Sequence, residues 1–166
     1  MNKLKYDIYN VSLGFATVVA LACIFIRFCV WCAVGNQIIV LNFLSGKIAV
    51  LPTFLFGLLD FLAFAFMGFS LGAALSASCT VTEVSKYRGA FYFVIGFTLA
   101  CVHHLLFFKL ISFFAAAIVA VLQFACALMA SVNFYRVSSV AFVASVAGNL
   151  WLLYILIFTL GALISV

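Results

Sequence analysis

Charge is what this sequence has least of. Among 166 residues there are eight Lys or Arg and three Asp or Glu, 7% of the chain. A soluble domain of this length carries roughly a quarter charged residues. Eight basic and three acidic side chains cannot wet its surface, which excludes a soluble globular fold. The polar, aromatic-poor composition of a disordered chain is also missing: 70% of the residues are apolar and 17% aromatic. Five of the six cysteines lie inside apolar runs, and their spacing is not that of a disulfide framework. The short alternating segments of an outer-membrane barrel are absent as well. No nucleophile elbow, P-loop or dinucleotide fingerprint is present.

What the sequence does contain is long continuous apolar runs. They predict an all-α membrane protein, a single integral domain over residues 1–166, with helices over about 11–34, 52–77, 89–109, 111–132 and 139–164. At about 1.5 Å per residue, each run can cross a hydrocarbon core of roughly 30 Å. The lipid bilayer is therefore its first partner. The net charge of +5 is not a nucleic-acid footprint, because the basic residues are scattered at the ends of the runs. Lys3, Lys5, Lys86, Arg88 and Arg136 fall on one side, and Lys47 and Lys109 on the other. The positive-inside rule then puts the N-terminus in the cytoplasm and the long loop 35–51 outside, with the cell (inner) membrane as the location. That loop mixes Asn36, Gln37 and Lys47 with Ile38, Val40 and Phe43. It either folds over the mouth of the bundle or lies on the lipid surface.

Ionisable groups inside the membrane are costly and point to function. Arg27, Asp60, His103 and His104 are the candidates. Counted from the helix ends, Arg27 and Asp60 lie about 12 Å below the long loop, and the histidines about 8 to 9 Å. All four share one half of the membrane, with Gln123 and Asn149 deeper. One reading is a polar cavity capped by the loop, another is an Arg27–Asp60 pair that only joins two helices, and a third is an Arg27 that snorkels to the surface. The adjacent histidines point about 100° apart, so one at most faces a given cavity, and they make a poor metal site. Cys29 and Cys32 read as apolar packing. Gly68-x-x-x-Gly72 and Gly96-x-x-x-Ala100 permit close helix contact, within the chain or in a homodimer.

The stretch Pro52-Thr-Phe54-Leu-Phe56-Gly57-Leu-Leu-Asp60-Phe-Leu-Ala-Phe64-Ala-Phe-Met67-Gly68 resembles the second-helix signature of the TspO/MBR family, the translocator or tryptophan-rich sensory proteins. The proline and the F-G and M-G pairs match in register; Asp60 replaces a tryptophan. Leu106-Phe107-Phe108 is similar to the end of the family's third helix, with His103 and His104 on its Trp-Ser. Trp151 matches a fifth-helix tryptophan, while Ala147 and Gly148 replace the preceding Pro-Tyr. The resemblance covers about Lys47 to Phe158.

It implies a five-helix bundle, often dimeric, with a pocket under the first loop for a hydrophobic small molecule such as a tetrapyrrole or a sterol-like compound. Such a receptor or carrier needs no resident cofactor or metal. On this reading Asp60, His103, Asn149, Trp151 and Arg27 line the pocket, and Phe54, Phe56 and Tyr154 form its apolar walls. Only Trp31 and Trp151 are present, so porphyrin chemistry needing several tryptophans is not expected. The alternatives are an accessory subunit of a membrane complex and an enzyme using Asp60 or His103 as general acid or base.

Overall fold

The structure, a computed structural model, describes residues 11–78 and 83–166. Lys3 and Lys5 of the charge count lie outside the described residues. The elements are α1 (Leu13–Val34), α2 (Gln37–Ser45), α3 (Thr53–Ser76), α4 (Glu83–His104, continued by a π-helical turn, Leu105–Lys109), α5 (Phe113–Val137) and α6 (Ser139–Ser165). No strand occurs among the described residues. Five of the helices are long and apolar enough to span a membrane, with α4 and its π turn counted as one.

Local chemistry sets the ends. Ser12 caps α1 by accepting the Phe15 N–H, and Gly35 ends it in the left-handed region at φ 72°. Pro52 stands just before α3, where its missing N–H costs nothing. Ser138 alone separates α5 from α6. Its extended backbone turns the chain, and its hydroxyl accepts the Ala141 N–H.

Two boundaries differ from the sequence expectation. α4 begins at Glu83 rather than Gly89, and α5 continues through Asn133 to Val137. Polar residues mark where a span leaves the hydrocarbon, not where the helix stops. Glu83 suits a helix N-terminus, and Lys86 bonds back to the Ala77 carbonyl.

The main packed pairs are α1–α3, α3–α6, α6–α5 and α5–α4, while α4 touches α1 and α3 more sparsely. Small residues bring α1 and α3 together. A Cβ on Gly72 would stand 2.5 Å from Ala16 Cα, and one on Gly68 2.9 Å from Ala20 Cα. The Gly68-x-x-x-Gly72 pair is thus spent on packing inside the chain. Gly96 does the same for α4 and α5, with Cys126 Cβ 3.3 Å from a Cβ built there. Outward, Val18, Phe25, Phe91, Phe114, Leu150 and Ile157 are exposed on four of the long helices and Leu58 on α3. A bundle covered in apolar side chains belongs in lipid, so the chain is an integral, multi-pass membrane protein.

The long loop is largely helical. α2 buries Gln37, Val40, Leu41 and Leu44 at helical spacing. Val40, Leu41 and Leu44 join Phe56, Phe107, Phe108, Trp151 and Phe158 in one core cluster. The loop therefore folds over the bundle, while Ile38, Ile39 and Phe43 face away from it.

Candidate functional site

Four helices, α1, α3, α4 and α6, contribute one polar network beneath α2. Arg27 and Asp60 are 3% and 1% exposed. The Arg27 guanidinium donates from Nε to Asp60 Oδ2 at 2.6 Å and from Nη2 to Oδ1 at 3.2 Å. This bidentate fork is the strong form of the pair. Nη1 donates to the Ala100 carbonyl at 3.1 Å, and Nη2 lies 3.0 Å from His104 Nδ1. Trp151 Nε1 donates to Asp60 Oδ1 at 2.9 Å. The Phe64 ring lies 4.7 Å from the guanidinium carbon. The Arg27 stem does not snorkel; its charge is held at depth by an acid, a carbonyl and a ring.

Above this network sits Gln37 on α2. Its Nε2 donates to the Trp31 carbonyl at 2.6 Å and lies 3.4 Å from His104 Nε2. The roof is tied in this way to the end of α1 and approaches the imidazole on α4.

Aromatic rings fill the space around the network. Phe56 is the hub, with ring centroids 5.2 Å from Trp151, 5.7 Å from Phe158 and 5.9 Å from Phe108. Tyr154 stacks on Trp151 at 4.9 Å and 25°. Trp31 lies 5.1 Å from His104.

The sequence candidates divide. Arg27, Asp60, Trp151, Phe56 and Tyr154 come together. His103 points elsewhere: its Nε2 lies 2.9 Å from Thr159 Oγ1, which itself donates to the Ile155 carbonyl. Asn149 bonds Ser131 at 2.8 Å, away from Arg27. Phe54 is 79% exposed and stands outside the cluster. Residues two apart on a helix face about 200° apart, so Phe54 and Phe56 cannot both be walls. His104, one of the four ionisable candidates, takes the place in the network that the pocket reading gave to His103; Gln37 and Trp31 also belong to the network but were not among the sequence-predicted site residues. Gln37 carried a signal in its i, i+3, i+4, i+7 relation to Val40, Leu41 and Leu44.

Two apolar grooves flank α3 and α6, and only the first touches the network, through Trp151. One, of about 390 Å³, lies between α3 and α6 and includes Leu51, Leu59, Phe66, Leu150, Trp151 and Tyr154 in its lining. The other, of about 770 Å³, runs between α1, α3 and α6 past Thr17, Ala20, Ala65, Phe69, Ala144 and Ala147. Neither is lined by Arg27, Asp60 or a histidine. The charged groups are turned onto each other, and the grooves are hydrocarbon-like. Cys29 and Cys32 are exposed on α1 as free thiols.

No protein-family model, curated protein or solved structure matches this chain. Fold and site define its class as a multi-pass helical membrane protein with a buried, roofed polar network.

Proposed function

We propose that the chain is a membrane receptor or carrier of the TspO/MBR type. It takes up a flat hydrophobic ligand, tetrapyrrole or sterol-like, in the half of the bundle beneath α2. The observation that carries this reading is the joint placement of Trp151 and Tyr154. Their stacked rings face the α3–α6 groove, while the Trp151 N–H reaches inward to Asp60. A flat ligand there gains ring stacking and about 25 cal/mol per Å² of apolar area removed from water. The groove opens sideways, so a ligand dissolved in the bilayer reaches it without crossing water. The N-terminus is cytoplasmic and α2 lies on the outer face of the cell membrane, in keeping with the Lys and Arg distribution.

The test is a porphyrin titration of the detergent-solubilised protein, followed by tryptophan fluorescence. Saturable quenching that weakens in Trp151→Phe is the expected result. An absence of saturable quenching would detach the protein from tetrapyrroles.

A second reading, an accessory subunit, draws on the 770 Å³ groove and its small residues Ala20, Ala65, Ala144 and Ala147. Such a stripe accepts a neighbouring transmembrane helix. Copurification with one stoichiometric membrane protein, and no ligand binding, would favour it.

A further inference from the structure

Among the described residues, Lys86, Arg88 and Arg136 mark the membrane face where α4 begins and α5 ends, and they are not equivalent. Lys86 is engaged, its Nζ donating to the Ala77 carbonyl at 3.1 Å. Arg88 and Arg136 are exposed. Neither has a hydrogen-bond or ion-pair partner among the described residues.

The packing of α4 on α5 brings these two arginines to one side. The helices run antiparallel and meet at Gly89, where an added Cβ would stand 2.6 Å from the Phe134 ring and 3.2 Å from Asn133 Cβ. At about 100° per residue, Arg88 is turned about 100° from that line of contact on α4. Arg136 lies just past the contact on α5 and is turned about 110° from it. Because the helices run in opposite directions, both rotations lead to the same face of the pair. Along the axes, Arg88 stands about 2 Å and Arg136 about 4 Å beyond the contact, so the two share one level. Phe93 and Phe134 point the other way, into the core of the bundle. Glu83, the acidic residue of the first turn of α4, is rotated about 140° from Arg88 and leaves its charge uncompensated. Beside Arg88 opens a groove of about 540 Å³, lined by Val84, Tyr87, Arg88, Phe91 and Tyr92.

We propose that the α4–α5 seam at this end binds the headgroup phosphate of one anionic phospholipid, with an acyl chain in the groove. Two guanidiniums at one level present forked donors to the phosphate oxygens. Their stems lie along apolar surface while the charged ends reach the headgroups. Tyr87 and Tyr135, 61% and 59% exposed, stand beside them, as tyrosines do at a membrane–water interface. The occupant is a lipid rather than a free anion because the groove next to Arg88 is largely apolar and opens to the bilayer. It is anionic because a zwitterionic headgroup brings its own cation and leaves the two arginines without a net counter-charge. The site lies at the opposite end of the bundle from the Arg27–Asp60 network and does not depend on a ligand beneath α2.

Native mass spectrometry tests this on the purified protein, in detergent micelles holding equal amounts of dioleoyl phosphatidylglycerol and dioleoyl phosphatidylcholine. The expected result is retention of phosphatidylglycerol with a roughly tenfold preference over phosphatidylcholine. Arg88→Gln combined with Arg136→Gln abolishes the preference. Lys47→Gln combined with Lys109→Gln removes the same charge from the opposite end, where both lysines reach helix-terminal carbonyls, and leaves the preference intact. All four side chains are exposed or lie outside the core, and thermal unfolding verifies that both variants fold. Equal retention of the two lipids by the wild type overturns the proposal, and so does a preference that survives in the arginine variant. A preference lost equally in the lysine variant overturns it as well, since net charge alone would then explain it. Millimolar inorganic phosphate should not displace the lipid. Displacement would make the arginines a free-anion site and overturn the lipid as occupant.

Discussion

Trp151 on α6 and Arg27 on α1 donate to the same oxygen of Asp60 on α3, at 2.9 and 3.2 Å. One carboxylate therefore joins three helices that are far apart in sequence. Replacing Trp151 by Phe keeps the ring against Phe56 and Tyr154 but removes the N–H. A loss of about 1–3 kcal/mol is expected, the usual cost of depriving a buried acceptor of a donor. Unfolding of wild type and Trp151→Phe in mixed detergent measures it, and equal stability would show that Arg27 alone satisfies the oxygen.

The Arg27–Asp60 pair gives a sharper test, because removing one charge and removing both have opposite expectations. Arg27→Leu leaves Asp60 buried with only Trp151 and should cost about 3–5 kcal/mol. Arg27→Leu combined with Asp60→Leu removes both charges and should recover most of that loss, giving a strongly non-additive double-mutant cycle. Additive losses would mean that the two side chains do not depend on each other for their burial.

Close packing of α1 on α3 predicts a contrast between two glycines. A methyl at Gly72 meets the Ala16 backbone at 2.5 Å, whereas Gly14 has nothing within 4 Å. Gly72→Ala should destabilise by about 1–3 kcal/mol, because helix backbone cannot step aside. Gly14→Ala should stabilise slightly, by helix propensity alone. Thermal unfolding of both variants checks the sign, and a neutral Gly72→Ala would mean the two helices are not held at this distance.

The five spans were legible because each is an unbroken apolar run, and length alone identifies such a run. The Arg27–Asp60 pairing was legible from depth: both residues sit the same number of turns below the same loop. Facing was harder to read. An apolar membrane helix lacks the polar stripe that fixes rotation in a soluble one, so nothing separated His103 from His104 or Phe54 from Phe56. The structure separates each pair by the helical angle between neighbours: His104 meets Arg27 and His103 meets Thr159, while Phe56 is buried and Phe54 exposed. The roof was half legible. The apolar content of loop 35–51 suggested contact with the bundle or with lipid. A nine-residue helix, Gln37–Ser45, is too short to stand out in a chain this apolar.

The last prediction concerns orientation, where two lysines count differently once their contacts are known. Lys109 Nζ reaches the Ala33 carbonyl at 3.5 Å, at the end of α1, and Lys47 Nζ reaches the Ser165 carbonyl at 3.4 Å, at the end of α6. Both cations therefore sit at helix C-termini, where the backbone dipole is negative and the last carbonyls lack partners. Their presence on the α2 side has a local structural cause. The charge bias behind the proposed orientation then rests, among the described residues, on Lys86, Arg88 and Arg136 at the opposite end. An odd number of spans leaves the two termini on opposite faces. With the N-terminus cytoplasmic as proposed, alkaline phosphatase fused after Val166 should be active in the periplasm of a bacterial expression host, and a fluorescent protein fused there should be dark. Lys47→Ala with Lys109→Ala should leave that result unchanged while lowering stability by a fraction of a kcal/mol per cap. A C-terminal fusion that is inactive as phosphatase and bright as fluorescent protein would invert the assignment and place α2 in the cytoplasm.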